Sequence, residues 1–117
     1  MMRFVMGLAA LALAGCTAQD LGLAPPEDGP ITRALAGKTL TLDGAPEFQV
    51  TFAKDGTISG FAEGRWSVTD GAYCRTLTGP PGMAGTECPV TELSGDTVTF
   101  TSSTGRSTWR ISPAPDA

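Results

Sequence analysis

The chain contains no histidine and only three cysteines. Without an imidazole, the usual general base for a serine or cysteine nucleophile is missing. So is the commonest zinc ligand. Basic residues are scarce as well: eight Lys and Arg stand against twelve Asp and Glu, a formal net charge of −4. That balance excludes the electrostatic footprint of nucleic-acid binding and of a polybasic membrane patch. No apolar run reaches the roughly 20 residues that a membrane-crossing helix needs. There is no CxxC pair, no glycine-rich phosphate loop and no dinucleotide-binding fingerprint. No catalytic residue, cofactor or metal is therefore expected.

What is there begins at the front end. Arg3 precedes an uncharged apolar run over residues 4–14. As a helix this run would span roughly 16 Å at about 1.5 Å per residue, too short to cross a bilayer. A basic start, an apolar middle and small residues at the end are the pattern of a secretory signal peptide, here residues 1–15. The run ends in Leu13-Ala14-Gly15-Cys16. This resembles the lipobox of bacterial lipoproteins, and all four positions match. The resemblance implies that Cys16 becomes the first mature residue, carrying diacylglycerol on its thiol and a further acyl chain such as palmitate on its amino group. The expected partner is then a lipid bilayer, held through acylated Cys16, since two or three chains anchor firmly where one does not. The expected location is the cell envelope. Thr17, rather than Asp, follows the cysteine, which leans toward the outer membrane with the domain facing the periplasm.

With Cys16 taken by lipid, Cys74 and Cys88 remain. In an oxidising periplasm their default state is a disulfide. It would close a loop of about 15 residues and contribute roughly 3 kcal/mol in the chain-entropy model. Residues 16–33 read as lipid anchor and flexible tether, rich in proline and acidic residues, reaching on the order of 55 Å when extended. Residues 113–117 read as a disordered tail.

Residues 34–112 form the expected single domain, and their patterning is that of strands. Leu40 and Leu42 alternate, as do Phe48, Val50 and Phe52, Trp66 and Val68, Val98 and Phe100, and Trp109 and Ile111. Asp55-Gly56, Asp70-Gly71, Ser94-Gly95 and Thr104-Gly105 supply turns between them. A helical turn fits near residues 31–35, and Gly60 is placed to make a bulge that re-aims Phe61. The stretch "TGPPGMAGTE" reads as a loop. The expected fold is all-β: a small antiparallel meander of about eight strands, closed or half-closed into a barrel.

Candidate functional residues are few. Lys38 and Lys54 have no accompanying motif, and Glu47, Glu63, Glu87 and Glu92 show no catalytic pairing. Simple alternation puts Glu92 with Val90, toward the inside. The loop between the cysteines, with Pro80, Pro81 and Met83, would be pinned by the disulfide and pre-organised as a partner-binding surface. Arg75 falls on the inward face of its strand beside Tyr73, where the two could contact a ligand or pair with a local acid.

The combination of Gly64-x-Trp66, the pair Tyr73-Cys74 and the second cysteine Cys88 is similar to that in small eight-stranded barrel inhibitors of exported hydrolases. Their inhibitory segments have no counterpart here, so no residue role is carried over. Three readings follow: a structural or protein-interaction module anchored in the envelope with an envelope protein as partner, a small-ligand-binding barrel, or an inhibitor of a periplasmic or secreted hydrolase. About seventeen apolar side chains look just sufficient to fill a small barrel, which counts against the second; the anchor, the tether and the absence of catalytic groups favour the first.

Overall fold

The structure, a computed structural model, describes residues 24–114. The signal segment, Cys16, the first part of the tether and residues 115–117 lie outside the described residues. One short helix, α1 (Pro30–Leu35), precedes nine strands: β1 (Lys38–Leu42), β2 (Gln49–Phe52), β3 (Thr57–Gly60), β4 (Glu63–Thr69), β5 (Ala72–Gly79), β6 (Gly85–Glu87), β7 (Val90–Ser94), β8 (Thr97–Ser102) and β9 (Gly105–Pro113). All pair antiparallel in one sheet of order β6-β5-β4-β3-β2-β1-β9-β8-β7. The first and last strands thus pair inside the sheet, with Leu40 opposite both Val50 and Ile111. The sheet curls into a half-barrel. Its two edges, β6 and β7, are consecutive in the chain and joined only by Cys88 and buried Pro89. That short link draws the edges together at one end of the seam.

Local chemistry explains the hairpins. Asp70 and Gly71 both have positive φ, 53° and 81°, the pairing a type I′ turn requires between β4 and β5. At the β2–β3 turn the Thr57 N–H donates to Asp55 Oδ1 at 3.0 Å and the Trp66 N–H to the Gly56 carbonyl at 2.9 Å. The expected bulge near Gly60 falls elsewhere. Gly60 ends β3 with its own backbone crowded against Gln49, and the register shift sits at Glu63/Gly64. There Gly64 lies so close to the Thr76 carbonyl and the Leu77 backbone that no Cβ fits. Phe61 is nonetheless aimed at the core, where it packs beside Trp109.

The core is the concave face: Leu40, Val50, Phe52, Ile58, Trp66, Val68, Tyr73, Leu77, Val98 and Phe100, closed at one end by Leu35 from α1. Alternation placed these correctly because each strand has one wet face. It failed for β7. Thr91 and Leu93 are register partners of inward Phe100 and Val98, so they share the inner face, and Val90 and Glu92 point outward and are exposed. Pairing with β8 sets the face, not the apolar character of Val90.

Three further differences concern the loop and the two ends of the expected domain. The stretch read as a loop contains β6, whose Thr86 and Glu87 pair with Thr76 and Arg75. Proline and glycine around it hide a strand too short to alternate visibly. Within the segment read as tether, the Glu27 N–H donates to the Val68 carbonyl at 2.9 Å and the Asp70 N–H to Glu27 Oε1 at 3.1 Å. At the other end β9 runs to Pro113, and the Ala114 N–H donates to the Gly37 carbonyl at 3.3 Å.

Candidate functional site: the mouth of the half-barrel

The inner face of β5 presents Tyr73, Arg75 and Leu77, and its outer face Cys74 and Thr76, as the period of two demands. Cys74 is bonded to Cys88. One register step along, Arg75 opposes Glu87 on β6. Its Nη2 donates to Glu87 Oε1 at 2.7 Å, an ion pair only partly open to solvent, with side-chain exposures of 23% and 41%. Disulfide, ion pair and ladder together fasten both ends of the segment 79–87 to β5. Between them Pro81–Met83 forms a single 3-10 turn, closed by the Met83 N–H on the Pro80 carbonyl at 2.8 Å. Pro80 and Pro81 are exposed, and Met83 is 41% exposed.

Behind this loop lies an interior cavity of about 70 Å³, walled by Phe52, Phe61, Phe100 and Trp109 and reached by Tyr73 and Arg75. Outside it a more polar groove of about 550 Å³ runs along Arg75, Glu87, Thr86 and Thr104. Arg75, Leu77 and Met83 border both spaces. The structure therefore brings together all the residues singled out around the mouth except Pro80 and Pro81, which stay on the loop's outer side. It also adds Phe61, from the bend between β3 and β4, and Ser107 and Trp109 from β9.

Three aromatic side chains in this interior carry a polar tip, and two are satisfied. Trp66 Nε1 donates to the Ala53 carbonyl at 3.0 Å, and Trp109 Nε1 to Ser107 Oγ at 2.9 Å. The Tyr73 hydroxyl is buried with the Arg75 guanidinium as its polar neighbour, and makes no hydrogen bond of good geometry among the described residues. Its burial pushes the phenol well above the ordinary tyrosine value, and Arg75, through its charge and its side-chain contact with the hydroxyl, only partly offsets this.

Of the acidic residues, Glu47, Glu63 and Glu92 are exposed and apart from the mouth, and Glu87 alone reaches it. Among the described residues, no three His, Cys, Asp or Glu side chains cluster as metal ligands would, and no helix is long and apolar enough to cross a membrane. Compared with known proteins, the chain matches no family model, no curated protein and no solved structure.

Proposed function

We propose that this protein is an envelope lipoprotein, anchored through acylated Cys16, whose half-barrel is an interaction module presenting the 79–87 loop to an envelope protein. The observation that carries this reading is Met83. It stands 41% exposed on a loop fastened at both ends by the disulfide and the Arg75–Glu87 pair. A rigid loop loses little entropy on binding, and an unbranched thioether adapts to an apolar partner surface. The apolar cavity supports this choice over a carrier of larger apolar ligands: about 70 Å³ is well below the roughly 300 Å³ of ordinary ligand pockets. The anchor rests on the lipobox and would keep the loop within reach of partners at the membrane, the expected side being the periplasmic face of the outer membrane.

The test is cross-linking in intact envelopes, with the lipidated chain carrying a C-terminal tag. One stoichiometric envelope protein should be captured by the parent chain and lost on Met83→Asp. Radiolabelled palmitate should enter the parent and not Cys16→Ser. Capture unchanged by Met83→Asp would remove the loop from the reading, and a palmitate-free parent would remove the anchor. A secreted hydrolase as the captured protein would favour an inhibitor.

A further inference from the structure

The wall of the half-barrel changes partner within one stretch of chain. Before Cys88 the chain runs as β6 beside β5, and after Pro89 it runs as β7 beside β8. Each of these two strands therefore has one side without a neighbour in the ladder. On β6 that side belongs to Gly85, Thr86 and Glu87, whose backbones make no hydrogen bond to backbone outside the β5–β6 ladder among the described residues. Across the seam, β7 pairs with β8 only as far as Thr101, so Ser102 has β9 on one side and no strand on the other. The groove of about 550 Å³ lies between these two edges, from Thr86 and Glu87 to Thr104.

An unpaired strand edge is a template for another strand unless charge or proline guards it. The β7 edge is guarded: it follows Pro89 and carries outward Glu92. The β6 edge is short but has neither guard. Gly85 and Thr86 are exposed and uncharged, and the Glu87 carboxylate is drawn to Arg75 at 2.7 Å. What this edge offers is main-chain N–H and C=O, and its complement is an extended main chain. The groove has the room, since its volume falls within the roughly 300–1,000 Å³ of ligand sites. It also has a side-chain pocket. Leu77 and Met83 border both the groove and the apolar cavity of about 70 Å³, which takes one aliphatic side chain.

Charge says what kind of chain enters. The strand registers put the 43–48 loop, the β3–β4 bend, the 79–85 loop and the β8–β9 turn at one end of the half-barrel. Exposed at that end are the carboxylates of Asp43, Glu47 and Glu63, against the single exposed cation of Arg106. Arg75 and Glu87 are spent on each other. A basic segment is drawn to this end and an acidic one is repelled.

We propose that the seam takes up an extended, basic segment of a partner protein as an added strand, antiparallel to β6 and reaching the end of β8, with one aliphatic side chain in the cavity beside Leu77 and Met83. This deepens the interaction reading and rests on it for the partner's being a protein. The surface it names is the β6 edge, not the exposed tip of the loop.

The probe is the peptide Lys-Val-Thr-Leu-Thr-Lys, acetylated and amidated, titrated into the full chain labelled with nitrogen-15. It should shift the amides of Gly85, Thr86, Glu87 and Ser102 and the Trp109 indole saturably, with a dissociation constant of about 1 mM or tighter. Two N-methylated versions of the peptide separate a ladder from a sticky surface, because alternate amides of a strand point to opposite edges. Methyl groups on one alternate set should weaken binding about tenfold, and on the other set less. Glutamate in place of both lysines should weaken binding about tenfold at low salt, and Glu47→Lys with Glu63→Lys should reverse that loss. Absence of a saturable shift up to about 10 mM peptide overturns the proposal. So do equal effects of the two methylated sets, or shifts centred on β7. If the peptide fails while Met83→Asp still abolishes capture in envelopes, the added strand falls and the interaction reading stands; failure of both tests removes both.

Discussion

Tyr73 and Phe100 stack with their ring planes 23° apart, although their strands, β5 and β8, share no hydrogen bond and stand on opposite arms of the sheet. The contact crosses the inside of the half-barrel. Phe52 and Trp66 extend it on one side, with centroid separations of 6.0 Å from Tyr73 to Phe52 and 5.4 Å from Phe52 to Trp66. Side-chain stacking inside, and the Cys74–Cys88 bond outside, thus hold together two arms that the backbone ladder leaves open.

Removing one half of the stack should loosen that closure. Phe100→Ala is expected to cost about 3–5 kcal/mol, the usual range for a buried phenylalanine. Tyr73→Phe should leave stability unchanged or raise it by about 1 kcal/mol, because it deletes a buried donor without deleting the ring. Urea unfolding of both variants checks this. A Tyr73→Phe loss above about 1 kcal/mol would mean that the hydroxyl has a partner inside the fold.

The disulfide should matter for the loop as well as for global stability. Cys74→Ser with Cys88→Ser is expected to lower the unfolding free energy by about 3 kcal/mol. Since β6 has three residues and lies at an edge, it should be the first element to open. Limited proteolysis of the double variant should cut within residues 79–87 before any other part of the half-barrel. Equal protease resistance in parent and variant would show that the Arg75–Glu87 pair and the ladder suffice to hold the loop.

Glycine at position 64 is dictated by the close approach of β4 and β5. Gly64→Ala would drive a methyl group into the Thr76 carbonyl and the Leu77 backbone, and should cost about 1–3 kcal/mol as an overpacked site. Gly82 has open space around it and no positive φ, so Gly82→Ala should stay within about 0.5 kcal/mol. Thermal melts of the two variants side by side separate a steric requirement from a general dislike of alanine in this sheet.

Much of this architecture was legible because it is written locally. Asp70-Gly71 announces its turn by residue type, and Val50/Phe52 or Trp66/Val68 declare an inner face by alternation. The disulfide followed from the cysteines left after Cys16. What stayed hidden depends on distant partners. β6 exists because Thr86 meets Thr76 across a ladder, not because "GTE" prefers a strand. Glu92 points outward because β8 fixes the register of β7. Glu27 reads as linker, yet it accepts from Asp70, far along the chain. The candidate site followed the same division. Alternation alone puts Tyr73 and Arg75 on one face, as their pairing with Val68 and Trp66 shows, whereas the approach of Phe61, Phe100 and Trp109 to that face requires the curl of the whole sheet.

The same curl that buries Tyr73 predicts its titration. The ordinary phenol value is 10.0, and burial raises it in the folded chain, against a smaller opposing pull from Arg75. An unfolded chain therefore releases this proton at lower pH than a folded one. The stability linked to neutral Tyr73 is fully present below pH 10 and is lost as pH rises from there toward the raised folded value. Because this is the only tyrosine, phenolate absorbance near 295 nm reads it alone. Absorbance should stay flat through the pH range where free tyrosine ionises, then rise together with the circular-dichroism signal of unfolding. A smooth phenolate curve centred near 10, with the fold intact, would show that water reaches the hydroxyl freely and that the interior is open rather than closed.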